Sequence, residues 1–178
     1  MKRLTTIILA AMIAPFCLFA QKDKLNNIPI KSLDLNRYLG TWYEIARFDH
    51  SFERGMDFTQ AHYSLNPNGT IRVLNSGLKD GKFKSSTGKA FVPNIIEQPA
   101  LLRVSFFGPF YSDYRVLMLT SDYKYALVGS GSDKYLWILS RSPKVPKDIM
   151  TTILDEARRR GYDTSKLIWV DHSDPMTN

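Results

Sequence analysis

Cysteine is almost absent: Cys17 is the only one in 178 residues, and it lies in the apolar stretch that opens the chain. If that stretch is removed, what remains has no disulfide, no thiolate metal site and no thiol nucleophile, and its core alone must hold it together. Histidine is scarce too. His50, His62 and His172 have no spacing that suggests a shared metal, so no metal and no cofactor is expected. Serines are numerous, but none sits in a nucleophile-elbow pattern. No internal repeat and no low-complexity segment interrupts the chain. Charge of one sign is not concentrated either. Lys and Arg number 24 against 17 Asp and Glu, a formal net charge of +7. The only dense basic cluster, Arg158-Arg159-Arg160, reads as the solvated face of a helix, so nucleic acid is not an expected partner.

Long apolar runs are missing beyond Leu4–Phe19, which is too short and too poorly flanked for a membrane span. With Lys2 and Arg3 before it and Ala20 after it, this run reads as a secretory signal over residues 1–20. Cleavage after Ala20 is the favoured reading, and a lipid anchor at Cys17 is the alternative. Either way the protein is expected to be exported, to the periplasm or the outer membrane.

Residues 21–36 are polar and read as an extended N-terminal arm. The barrel domain expected over 37–171 has period-two patterning broken by turn residues every ten or so positions, and 172–178 form a tail. Asn66-Pro67-Asn68-Gly69 is the strongest hairpin turn. Lys79-Asp80-Gly81, Gly108-Pro109 and Gly131-Ser132-Asp133 mark others. Eight strands joined mostly by short turns predict an antiparallel meander, which can close on itself and so remove its exposed edges. The period then changes. A helix is expected from Pro146 to Arg160, with Ile149, Ile153, Leu154 and Ala157 on one face and Gly161 ending it. That stripe must be buried against the outside of the barrel. A short strand, 167–170, follows.

Gly40-Thr41-Trp42-Tyr43-Glu44-Ile45-Ala46 resembles the opening signature of the lipocalins. Thr120-Ser121-Asp122-Tyr123 is similar to their turn between the sixth and seventh strands, with Ser121 as an added residue. Arg141 stands where the family keeps an arginine. The wording is closest to the bacterial outer-membrane lipocalins, in Phe52-Glu53-Arg54-Gly55, in residues 105–111 and in residues 135–141. The resemblance implies an all-β, eight-stranded antiparallel up-and-down lipocalin barrel with one C-terminal helix packed on its outside and a short final strand. Gly40, Trp42 and Arg141 are its structural floor: the glycine lets the chain enter, the indole plugs the closed end, and the guanidinium lies over the indole face.

Alternation from Trp42 and Arg141 predicts the inward side chains, and these are the candidate ligand contacts. They are Glu44, Ala46 and Phe48 on the first strand, Ala61 and Tyr63 on the second, and Val73 and Asn75 on the third. Val104 and Phe106 follow on the fifth, Tyr114, Val116 and Met118 on the sixth, and Ala126 and Val128 on the seventh. Tyr135, Trp137 and Leu139 complete the set on the eighth. Small residues among them, with Gly88, favour a cavity over a filled barrel, and the tyrosine tips could fix a carboxylate or ester. Glu44 reads as a satisfied acceptor near the base, with a catalytic acid as the sharper alternative. His50 is expected at the mouth, and His62 facing out. Phe106, Phe107, Phe110 and Tyr111 form either a rim that meets lipid or a packed corner.

The expected function is non-catalytic carriage of a lipophilic small molecule, such as a fatty acid or lysophospholipid, at the bacterial cell envelope. A membrane lipid surface and a second copy of the chain are the further partners considered. The alternatives are an enzyme acting on a bound lipid or a binder of a non-lipid ligand such as a tetrapyrrole. The isomerase chemistry known in the family needs an inward cysteine, and a haem site would need an inward histidine. The intact mass of the exported protein tests the first twenty residues: cleavage after Ala20 is expected, and a diacylglyceryl adduct on Cys17 would establish the anchored form.

Overall fold

The computed structural model describes residues 25–173. The expected signal with Cys17, and the end of the tail, lie outside the described residues. A single helical turn, α1 (Leu35–Tyr38), precedes the first strand; Asp34 caps it by accepting from the amides of Asn36 and Arg37. Its first two residues end the stretch 21–36 expected to be an extended arm, and its last two open the expected barrel domain. The capping aspartate was the available signal, but one turn is too short to leave a period.

Eight antiparallel strands follow: β1 (Gly40–Phe48), β2 (Met56–Leu65), β3 (Ile71–Lys79), β4 (Lys82–Phe91), β5 (Leu101–Phe107), β6 (Phe110–Leu119), β7 (Tyr125–Gly129) and β8 (Leu136–Ser140). Each pairs with the next, and β1 pairs with both β2 and β8, which closes the barrel. At the end where β1 starts, β1 pairs with β2 over residues 40–43. At the other end β4 meets β5 only through residues 89–91, so the first part of β4 is free of β5. A last strand, β9 (Leu167–Trp169), adds to β1 at residues 46–48.

The barrel floor is built around Arg141, just past the end of β8. Its guanidinium carbon lies 3.8 Å from the centroid of the Trp42 ring. The same guanidinium donates to the main-chain oxygens of Thr41 at 2.7 Å, Leu39 at 2.8 Å, Arg37 at 2.9 Å and Tyr38 at 3.0 Å. Trp42 is fully buried, and its Nε1 donates to Tyr38 O at 2.8 Å. Gly40 has φ +92°, and a Cβ there would stand 3.4 Å from Arg141 Nη1. The position therefore favours glycine for its backbone as well as for the close approach.

Helix α2 (Lys147–Arg159) lies on the outer wall, with Ile153 and Ala157 fully buried and Ile149 and Leu154 partly so. It covers Leu117, Leu127, Leu136 and Ile138, the outward residues of β6, β7 and β8. Arg160 is not part of a solvated face. It is buried and donates to Leu117 O, Asn26 O and Ile28 O, tying the N-terminal arm to the barrel. Arg158 and Arg159 are exposed and paired with Asp155 and Glu156. Among the described residues no helix is long and apolar enough to cross a membrane.

Four register shifts interrupt the ladders. Two, between Asp57 and Gln60 in β2 and between Val104 and Phe107 in β5, leave the expected inward residues in place, and two displace some of them. The displacing two are β-bulges: in β1 the register slips between Glu44 and Ala46, and in β6 between Val116 and Met118. An extra residue on one strand turns everything beyond it to the opposite face.

Replacing Arg141 by Met removes the cover of Trp42 and leaves the Arg37, Leu39 and Thr41 carbonyls without this donor, while Tyr38 O keeps the Trp42 Nε1 bond. The expected loss is about 3 kcal/mol, or about 6–12 °C in Tm, with Arg141→Lys between the two. Thermal unfolding followed by circular dichroism measures it; a drop below about 2 °C would mean that the floor stands without the guanidinium.

Candidate functional site

The barrel has two apolar clusters, one inside and one between the outer wall and α2. The interior cluster contains Trp42, Tyr63, Val73, Val116, Ala126, Val128 and Leu139, with Ala61, Val104, Phe106, Tyr114 and Trp137 packed on it. Asn75 pairs directly with Ala61 and so shares its inward face. Apart from Trp42, from which the count starts, these twelve side chains and Glu44 point where alternation predicts.

Three expected contacts do not. Ala46 and Phe48 belong to the outer cluster, where the Phe48 ring meets Tyr162 at 6.2 Å. Met118 is also outside, packed with the helix cluster. The bulges are the reason: past each of them the period-two count is one residue out of step. Tyr135 stands just before β8 and not on it, and stacks on Trp137 at the mouth, with centroids 5.8 Å apart.

The lower interior is filled by tyrosines. The Tyr38 and Tyr114 hydroxyls are 2.6 Å apart, and Tyr63 donates to Tyr114 at 3.2 Å. Burial holds all three phenols neutral, pushing Tyr63 up to about 12 and the other two well above their ordinary value. Their hydroxyls are occupied with each other, so they do not present the free polar tips expected of Tyr63 and Tyr114. Tyr38 comes from α1, which the strand pattern could not reveal. Gly88 leaves no empty volume either, because a Cβ there would meet the Phe106 ring at 2.9 Å.

The bulge in β1 brings Arg47 indoors, beside Glu44. Arg47 is 2% exposed and donates to Glu44 Oε1 at 2.7 Å, to Glu53 O at 2.7 Å and to Met56 O at 3.1 Å. Glu53, on the loop between β1 and β2, faces His50 Nε2 at 2.9 Å. That approach is off the N–H direction, so it is a close contact and not an aligned hydrogen bond. Trp137 Nε1 donates to the same Glu53 oxygen at 3.3 Å. Burial, with Glu53 nearby, outweighs Arg47 and pushes Glu44 up to about 8. Burial also raises Glu53, but the His50 ring, Trp137 and Arg47 together bring it below its ordinary value. At neutral pH Glu44 therefore keeps its proton while Glu53 is ionised. Arg47, Glu53 and His50 were not among the expected site residues, since strict alternation places Arg47 outside.

His50 is buried at the mouth and stacks on Phe52 at 4.0 Å. His62 is on the outside, 2.9 Å from the Thr41 hydroxyl, and His172 Nε2 meets Glu44 O at 2.7 Å. Among the described residues no cluster of His, Cys, Asp or Glu is placed to hold a metal ion. A half-open pocket of about 340 Å³ lies at the mouth, with Phe52, Tyr135 and Trp137 as its aromatic walls and Ser112, Asp113 and Ser130–Ser132 as its polar side. That is the low end of the range for small-molecule sites. The aromatic corner divides three ways: Phe106 turns in, Tyr111 packs on Phe91, and Phe107 and Phe110 are each 78% exposed.

A closed eight-strand barrel with an outer helix, an Arg-capped tryptophan floor, an apolar interior and an aromatic pocket at the mouth is the architecture of a small-molecule binder. The chain belongs to the lipocalins, whose members bind small hydrophobic ligands: the family model for the lipocalin-like domain matches residues 33–172. It is 47% identical to the outer membrane lipoprotein Blc of Escherichia coli over 143 residues, which cover 79% of this chain and 80% of that one. It is 40% identical to temperature-induced lipocalin-1 of Arabidopsis thaliana over 154 residues, 82% of each chain. Insecticyanin from Manduca sexta superposes with a TM-score of 0.70 at 25% identity, over 84% of this chain and 86% of that one.

The raised Glu44 carboxyl makes a pH prediction. Between about 4.5 and 8 the unfolded chain loses this proton while the folded chain keeps it, so Glu44 makes stability fall as pH rises through that window and contributes no further slope above it. Glu44→Gln cannot ionise. Its Tm relative to the parent is expected to rise between pH 5 and pH 9, and a difference independent of pH would mean that Glu44 is already ionised at pH 5.

Proposed function

We propose that this protein carries a single-chain amphiphile, a fatty acid, lysophospholipid or similar membrane lipid, at the bacterial cell envelope and without bond chemistry. The observation that carries the reading is the half-open aromatic pocket at the mouth, whose wall Trp137 also packs on the apolar interior. Burial of an acyl chain is worth roughly 0.8 kcal/mol per CH₂, so about ten carbons contribute on the order of 8 kcal/mol against the cost of association. The name of the bacterial relatives, outer membrane lipoprotein, supports placement at the envelope and lends weight to the anchored form at Cys17.

The open end supports loading from a bilayer. Phe52, Phe83, Phe107 and Phe110 are exposed there, and Lys79, Lys82 and Lys84 lie around Phe83. Aromatic side chains with lysines beside them suit an anionic lipid surface.

The test uses tryptophan fluorescence, since Trp137 lines the pocket. Titration with a long-chain fatty acid is expected to saturate at about one ligand per chain, and a fall in fluorescence without saturation for any acyl ligand would end the carrier reading. Uptake of that ligand from anionic vesicles is expected to slow several-fold in Phe107→Ser/Phe110→Ser, with affinity for dispersed ligand unchanged. Equal uptake rates would remove the bilayer from the account.

A further inference from the structure

The interior wall made by upper β1, β2 and β3 is polar where the rest is not. Arg47 and Thr59 are each 2% exposed, yet Arg47 Nε and Thr59 Oγ1 have no hydrogen-bond partner, and neither does the buried Asn75 Oδ1. Buried polar atoms left in this state are uncommon, and each asks for a partner. The three belong to one neighbourhood. Arg47 reaches across to Met56 O. Met56 Cε and Thr59 Cγ2 both lie within 3.0 Å of where a Gly77 Cβ would stand. Gly77 is two residues from Asn75 and shares its inward face.

We propose that this wall is a head-group seat, and that it takes the carboxylate of a fatty acid with the Arg47 Nε–H and the Thr59 hydroxyl as donors. The proposal rests on the carrier reading and names the ligand class for it. Both unpartnered groups are donors toward an anion, and Arg47 brings the charge. Its nearest carboxyl, Glu44, is the one that burial keeps protonated at neutral pH, so an entering carboxylate supplies counter-charge that Glu44 does not. Turning the Asn75 amide by half a rotation adds its N–H groups to the seat. The acyl chain then has the apolar wall of Val104, Phe106 and Val128 to lie on. A cationic head would meet Arg47 directly and be disfavoured.

The full-length exported protein is titrated at pH 7.5 with dodecanoic acid, methyl dodecanoate and dodecylamine, three ligands with one tail and different heads. The acid is expected to bind about tenfold more tightly than the ester, or about 1.4 kcal/mol, and the amine most weakly. Thr59→Val, which keeps the shape of the side chain, is expected to bring the acid-to-ester ratio to about threefold or less by weakening the acid more than the ester. If acid and ester bind alike, the seat is overturned and the carrier stands. A preference for the amine would also overturn it, making the Glu44–Glu53 pair the contact. If none of the three binds, it is the carrier reading that fails. The ligand series on the unmodified protein decides the matter even if the variant does not fold, and a ratio unchanged in a folded Thr59→Val places the seat elsewhere.

Discussion

One guanidinium holds the closed end together. Arg141 lies on the Trp42 indole and gathers four carbonyls from the short run between α1 and β1. Those carbonyls belong to a helix end and a strand start, where the backbone cannot satisfy itself. Without the guanidinium each would lose a donor, while Tyr38 O would keep the one from Trp42 Nε1. The contact also orients Trp42 inward, and with it the phase of β1. Because side chains alternate along a strand, the phase of β1 sets which residues of β2 and β8 face the interior, and so on around the barrel.

That phase is not kept to the mouth. The bulges in β1 and β6 place Ile45 and Ala46, and Leu117 and Met118, in the outer cluster. This widens the apolar surface under α2 and, in the same step, turns Arg47 inward. A charge in such a place needs compensation, and a buried ion pair is a weak source of net stability because both partners lose water. Here the compensation is shared among Glu44, two main-chain oxygens and the charge of Glu53. The proton retained on Glu44 relieves the repulsion between the two carboxyls. The outer packing and the inner polar network are therefore two consequences of one extra residue in β1.

The interior is graded as a result. The lower half is occupied by Trp42 and the three tyrosines, whose hydroxyls are spent on one another. The upper half has a polar side on β1 to β3, an apolar side on β5 to β7, and an aromatic exit. The loop with His50, Phe52 and Glu53 joins these parts, since it supplies both a charge to the network and a wall to the mouth. Selectivity among amphiphiles has its physical basis in that asymmetry, more than in cavity size alone.

Much of this was legible in the chain itself. The strand count, the turn at 66–69, the helix stripe and the Trp42–Arg141 floor follow from short-range patterns, because a hairpin, a helix face and an apolar plug each depend on residues close in sequence or on one family signature. Twelve apolar or polar wall positions and Glu44 followed from counting by two. Ala46, Phe48 and Met118 did not, because a bulge is one residue long and leaves no period of its own; in β6 the unbroken run 116–119 was the only trace of it. Arg47, Glu53 and His50 come together by the same slip and by a loop folding over the mouth, and Tyr38 joins Tyr63 and Tyr114 only once α1 lies across the floor. Local patterning thus determined which elements exist and in what order they pair. Which side chains share the interior, and in what protonation state, was decided by register and burial, which exist only when distant strands are brought together.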